Sequence, residues 1–127
     1  MNSWFRLPKD KESVPQPRWG HSMCKFTKDF MIMFGGYAGK SFSNPDSLYF
    51  NDLWLFNVQS LKWKIIKLET ETVPVPRSNA SLVYNDKNQT IVIFGGGSSG
   101  SERFSDLWEF QMSHNFLSSL SGKWVKV

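Results

Sequence analysis

The chain has 127 residues, 40% of them apolar and 16% aromatic, which is the length of one domain with enough bulk to fill a core. Its net charge of +4 is concentrated at the front, where Arg6, Lys9, Lys11, Arg18, Lys25 and Lys28 outnumber Asp10 and Glu12 and the remainder balances. No apolar run exceeds five residues, too short for a membrane-crossing helix, and a basic leader broken by acids and prolines reads as a solvated linker rather than a nucleic-acid arm.

Trp4-Phe5-Arg6-Leu7 is a short strand candidate closed by Pro8, and the charged, proline-bearing residues 9–17 form a connector. Residues 18–26 make the next strand. Thr27-Lys28-Asp29 turns it into Phe30-Met31-Ile32-Met33-Phe34, an apolar run that stops at Gly35-Gly36 and predicts a strand buried on both faces. Two strands joined by so short a turn are antiparallel neighbours. Residues 37–50 form a long loop rich in Gly, Ser, Asn and Pro, and residues 53–57 a third strand. After a turn at Gln59-Ser60, residues 62–67 make a fourth, where lysines alternate with apolar residues as on a strand with one wet face.

The same order then recurs. Pro74-Val75-Pro76-Arg77 echoes Pro15-Gln16-Pro17-Arg18 at the end of a second connector. Ser81-Leu82-Val83-Tyr84, a turn over 85–88, Ile91-Val92-Ile93-Phe94 and Gly95-Gly96-Gly97 follow. Ser105-Asp106-Leu107-Trp108-Glu109-Phe110 then stands where Asn51-Asp52-Leu53-Trp54-Leu55-Phe56 stood, and residues 123–127 close the unit. The copies differ in loop length. No stretch has sustained helical periodicity; residues 116–120 admit a single turn of helix.

The chemistry-bearing residues point away from catalysis. His21 and His114 are the only histidines, no His, Cys or carboxylate spacing resembles a zinc site, and His21 reads as structural. Cys24, the one cysteine, permits no internal disulfide and reads as a buried neutral thiol. Gly95-Gly96-Gly97-Ser98-Ser99-Gly100-Ser101 lacks the Lys-Ser/Thr ending of a phosphate loop and leads into a strand. No serine has a His–acid partnership. No enzyme activity, metal or cofactor is therefore expected. Asp52 and Asp106 each open a strand after a loop, where a carboxylate accepts backbone N–H bonds. Met1 to Pro8 lacks the basic and apolar regions of a signal peptide, and a single cysteine favours the cytoplasm. Asn79-Ala80-Ser81 and Asn88-Gln89-Thr90 fit the glycosylation pattern and keep a secreted origin open.

Four antiparallel strands per unit, a glycine pair after the second and a tryptophan in the fourth make the pattern of a propeller blade. The residues closely resemble the kelch repeat: Pro17 and Arg18, His21, Phe30 to Phe34, Gly35-Gly36-Tyr37, Asn51-Asp52-Leu53-Trp54 and Trp63, then Arg77, Gly95-Gly96, Asp106-Leu107-Trp108 and Trp124. The second unit departs at Ala80, Gly97 and Ser105, where the first has His21, Tyr37 and Asn51. The resemblance implies an all-β chain of two four-stranded antiparallel blades of a partial kelch-type β-propeller, residues 15–73 and 74–127. The strands near Ser22 and Ser81 are then innermost, and those with Trp63 and Trp124 outermost. Because Trp4 aligns with these two tryptophans, residues 1–14 are expected to be the outer strand of a preceding blade and a connector. Two blades leave bare end faces, so the chain is expected to belong to a longer propeller. The remaining blades, or other copies of the chain, would then cover those faces.

The resemblance also implies a protein-protein interaction module, a scaffold or adaptor that presents loops to another protein. The alternatives are a segment of a kelch-type propeller enzyme whose metal or catalytic residues lie outside this chain, and, on charge alone, a nucleic-acid binder. Alternating strand direction puts the loop before the first strand and the loop between the second and third on one side. Arg18, Trp19, Tyr37, Lys40, Tyr49, Arg77, Ser98, Ser99 and Arg103 are accordingly the expected partner-binding face. For Arg18 and Arg77 the competing reading is structural, as partners of a neighbouring blade's loop.

Overall fold

The computed structural model describes residues 2–7, 13–40 and 48–127. In the first unit β1 (Ser22–Lys25), β2 (Phe30–Tyr37), β3 (Tyr49–Asn57) and β4 (Lys62–Ile65) form an antiparallel sheet in the order β1-β2-β3-β4. The chain continues through β5 (Lys67–Leu68), β6 (Ser81–Asn85), β7 (Thr90–Phe94), β8 (Leu107–Met112), α1 (Phe116–Ser119) and β9 (Ser121–Lys126). Its second sheet has the order β5-β9-β8-β7-β6. These are two propeller blades, with β1 and β6 innermost and Trp63 and Trp124 on outer strands. α1 falls where a single helical turn was expected.

Three expectations are corrected. β3 begins at Tyr49 rather than residue 53, because pairing with β2 resumes beyond the glycine bulge at Gly36↔Phe50 and Tyr37↔Tyr49. Residues 41–47 of the expected long loop, and Pro8 with residues 9–12 of the first connector, lie outside the described residues. The fourth strand, expected over 62–67, breaks at Ile66, whose side chain turns into the core and whose N–H donates to Leu53 O (3.0 Å). Lys67–Leu68 then crosses to the second sheet and runs parallel to β9, giving that blade a fifth strand. Glu69 holds this crossing, accepting from Ser113 Oγ (2.7 Å) and Ser121 Oγ (2.8 Å), which lowers its pKa. Residues 2–7 form no strand, and Trp4 is fully exposed. A strand exists only with a hydrogen-bonded neighbour, and none of the described residues supplies one there.

The core lies between the blades. From the second, Ile91, Ile93, Trp108, Phe110 and Trp124 pack against Ile32, Phe34, Leu53 and Leu55 of the first, each such side chain contributing about 1.5–3 kcal/mol. Trp124 sits centrally, its ring 5.6 Å from Phe34, 5.2 Å from Phe110 and 6.4 Å from Trp108. Nearer the inner strands, Phe26 meets Tyr84 and Phe116 edge-on at 4.8 and 5.7 Å.

Backbone bonds join the strand heads. Asn79 N–H donates to Gly20 O (2.7 Å), Gly36 N–H to Arg77 O (2.9 Å) and Arg77 N–H to Phe50 O (3.0 Å), while Ser22 Oγ donates to Ala80 O. Gly35 is required for this approach: its φ is +67°, and a Cβ there would lie 2.7 Å from Arg77 O. No helix among the described residues is long and apolar enough to cross a membrane.

Candidate functional site

The arginine at the head of each inner strand is built into its own blade. Arg18 Nε donates to Gln16 O (3.1 Å), its Nη1 to Gly35 O (3.0 Å), and its two terminal nitrogens to Asp52 Oδ1 and Oδ2 (2.5 and 3.0 Å). Arg77 repeats this on Val75 O (2.9 Å), Gly95 O (3.0 Å) and Asp106 (2.5 and 2.9 Å). Each aspartate also accepts an indole N–H at 2.7 Å, from Trp54 and Trp108 respectively. Each guanidinium lies over an aromatic ring, 3.8 Å from the Phe50 centroid and 4.1 Å from that of Phe104. Hydrogen bonds from Arg77 lead the causes that hold the Asp106 carboxyl at a pKa of about 2.

This arrangement removes Arg18 and Arg77 from the expected contact face. Their side chains are 3% and 0% exposed, so neither fork can reach a partner, and each pairs within its own blade rather than with a neighbour's loop. The aspartates, expected to take backbone N–H groups, bind mainly side chains instead. A bidentate arginine outcompetes amides for a carboxylate because both its oxygens are satisfied at once with a full positive charge. The Arg, Gly-Gly and Asp-Leu-Trp elements recur together in the sequence, which was the signal for this unit.

The other residues of that face remain at the surface. Trp19 is 60% exposed and meets Tyr37 edge-on at 4.9 Å; Tyr37 in turn lies 4.6 Å from Tyr49. Reciprocal backbone bonds between Trp19 and Tyr37 (3.0 and 2.8 Å) hold the pair at the end of the sheet. Beside Tyr49 opens a concavity of about 600 Å³, lined also by Ser78, Asn79, Phe94, Ser98 and Arg103. Its outer loop is fastened by Ser98 Oγ on Glu102 Oε2 (2.5 Å) and by main-chain bridges from Gly97 to Ser78 and Arg103. Lys40 and Ser99 are exposed but line no part of it.

Asn79 and Phe94 were not anticipated here. Asn79 adopts φ 58°, a left-handed conformation that asparagine tolerates and that no spacing pattern announces. Phe94 ends the apolar run of β7 yet is 51% exposed, because the first blade packs against the other face of β7, the one that carries Ile91 and Ile93. Elsewhere, burial raises the Cys24 thiol pKa, which favours the protonated form. His21 is exposed and His114 borders a second concavity of about 660 Å³ at the opposite end of the blades. No group of three or more His, Cys, Asp or Glu side chains able to hold a metal comes together among the described residues.

Comparison with known proteins gives a consistent picture. The family model described as the KLHDC2/KLHL20/DRC7 Kelch-repeats domain matches residues 1–126. The leucine-zipper-like transcriptional regulator 1 homolog of Drosophila melanogaster is 33% identical over 100 residues, covering 78% of this chain and 10% of that protein. Dynein regulatory complex subunit 7 of Chlamydomonas reinhardtii is 28% identical over 109 residues, 86% of this chain and 8% of that one. Human Kelch domain-containing protein 3 is 33% identical over 100 residues, 79% of this chain and 24% of that one. The chain thus spans a quarter or less of each. The solved structure titled "Structure of YjhT" shares the fold, with a TM-score of 0.55 at 17% identity over 91% of this chain and 32% of that one.

Proposed function

The chain belongs to the kelch-repeat family, and from that membership we propose that it is a protein-interaction module, acting as a scaffold or adaptor. Its contact face is formed by Trp19, Tyr37 and Tyr49 with Lys40, Ser98, Ser99 and Arg103. The observation that carries this is the exposed Trp19 set edge-on against Tyr37, which in turn packs on Tyr49 at the lip of the adjoining concavity. Large rigid aromatics and an arginine, held on a sheet end by backbone bonds, are the side chains that dominate protein interfaces, because they cover much area at little entropy cost. Lys40 and Arg103 add positive charge at the rim, which suits an acidic partner surface and governs encounter rate more than affinity. The single cysteine, with no disulfide to form, fits a reducing cytoplasmic setting.

The test is to isolate the partner by affinity capture, purify it, and titrate it against wild type, Trp19→Ala and the double reversal Lys40→Glu with Arg103→Glu. Trp19→Ala should weaken binding about tenfold or more with the fold unchanged by circular dichroism. The double reversal should lower the association rate and its salt dependence. Unchanged binding in both variants would refute this face.

A further inference from the structure

A cleft of about 210 Å³ opens between the two blades, walled by β2, β3 and β4 of the first and by the end of α1 from the second. Both walls belong to the interface that the blades already form with each other. The cleft lies by the pair Phe30↔Asn57, at the opposite end of β2 and β3 from Tyr37↔Tyr49 and the aromatic contact face.

Its floor is apolar and its rim carries donors. Phe116 is buried in the core and meets Phe26 edge-on at 5.7 Å. Leu120 closes the helical turn by donating to Phe116 O (2.7 Å), and its carbonyl accepts from Lys67 N–H (2.7 Å). The turn so fixed sets Leu117 and Leu120 across from Phe30 and Leu55, and Leu117 stays 50% exposed. At the rim, Asn57 Oδ1 accepts the N–H groups of Gln59 (2.9 Å) and Ser60 (3.1 Å), which fixes the amide and leaves its Nδ2 hydrogens without an acceptor among the described residues. Lys64 makes no hydrogen bond or ion pair among the described residues. Lys62 stands on the same side of β4 and also lines the cleft, whereas no carboxylate does.

Size and polarity together narrow the occupant. A space of about 210 Å³ holds about seven waters at ~30 Å³ each. It falls below the ~300 Å³ at which pockets for cofactors and drug-sized molecules begin, and suits one aliphatic side chain. We infer that the cleft is a second docking site, for an extended peptide segment of a partner protein in which a leucine-sized side chain is flanked by aspartate or glutamate. The anchor covers the apolar floor and supplies most of the affinity. The flanking carboxylates accept from Asn57 Nδ2 and the lysine ammonium groups, and a basic segment is rejected by the same charges.

The probe is the peptide acetyl-Asp-Glu-Leu-Glu-Asp-amide, titrated into the isotope-labelled chain and followed by two-dimensional NMR. Saturable shifts are expected at the Lys64, Leu117 and Leu120 amides and at the Asn57 side-chain amide. Exchanging the peptide's leucine for glycine should weaken binding at least about tenfold, and exchanging its acids for lysines should abolish it. Lys64→Glu should weaken it about fivefold and Leu117→Asp about tenfold. Both side chains are exposed, so the fold should survive, checked by circular dichroism. Trp19→Ala should leave this titration unchanged, which separates it from the aromatic face. The inference is overturned if no saturable shift appears at these residues, if the glycine or lysine peptide binds as tightly as the probe, or if neither Lys64→Glu nor Leu117→Asp alters the affinity.

Discussion

Replacing Asp106 with asparagine isolates the energetics of the buried arginine unit. The change keeps the side chain's shape but removes the counter-charge of Arg77, which is 1% exposed. Removing one partner of a buried ion pair costs about 3–5 kcal/mol. Arg77 retains the Val75 and Gly95 carbonyls and the Phe104 ring, and Asp106 is 17% exposed, so a loss of about 3 kcal/mol near the low end is expected. That corresponds to roughly 10 °C in Tm for a chain of this size. Urea unfolding followed by tryptophan fluorescence measures it, and Trp108 reports directly because its indole donates to the same carboxylate (2.7 Å).

The loss should also depend on pH in a definite direction. The folded pKa of Asp106 is lowered from 3.8 to about 2, so its contribution of about 2 kcal/mol is complete above the unfolded value. It is lost as pH falls from about 4 to about 2. Wild type and Asp106→Asn should therefore differ most near neutral pH and converge in acid. A variant within about 0.5 kcal/mol of wild type at pH 7, or a gap that does not narrow in acid, would refute the argument.

Two further changes probe the strand heads and the thiol. Gly35→Ala should cost about 3 kcal/mol, combining a left-handed φ with a Cβ placed against Arg77 O, whereas Gly100→Ala, at φ +69° with nothing within 4 Å, should cost only about 1 kcal/mol; equal losses in denaturant melts would contradict the steric account. Cys24, its pKa raised by burial, should react with an aromatic disulfide at least about tenfold more slowly than a free thiol at pH 8 and at the ordinary rate once unfolded. A native rate equal to the unfolded one would count against a protected thiol.

The sequence by itself determined whatever rests on local pattern. The apolar runs ending at Gly35 and Gly95 announced buried strands, because no helix tolerates a glycine pair there. Short turns at residues 27–29 and 85–88 dictated antiparallel pairing, and the recurrence of the whole order revealed two blades. Tertiary structure alone decided the features that depend on distant partners. Ile66 and β5 behave as they do because the edge of the second sheet at β9 accepts another strand, and Trp4 lies in no strand because none of the described residues pairs with it. Arg18 and Arg77, hydrophilic by type and adjacent to loops, looked like surface residues. They are buried because an aspartate, a glycine carbonyl and an aromatic ring, all distant from the arginine in sequence, converge on each guanidinium. Desolvating a charge is tolerable only where several partners meet it at once, and that convergence is a property of the folded chain rather than of any neighbouring residues in its sequence.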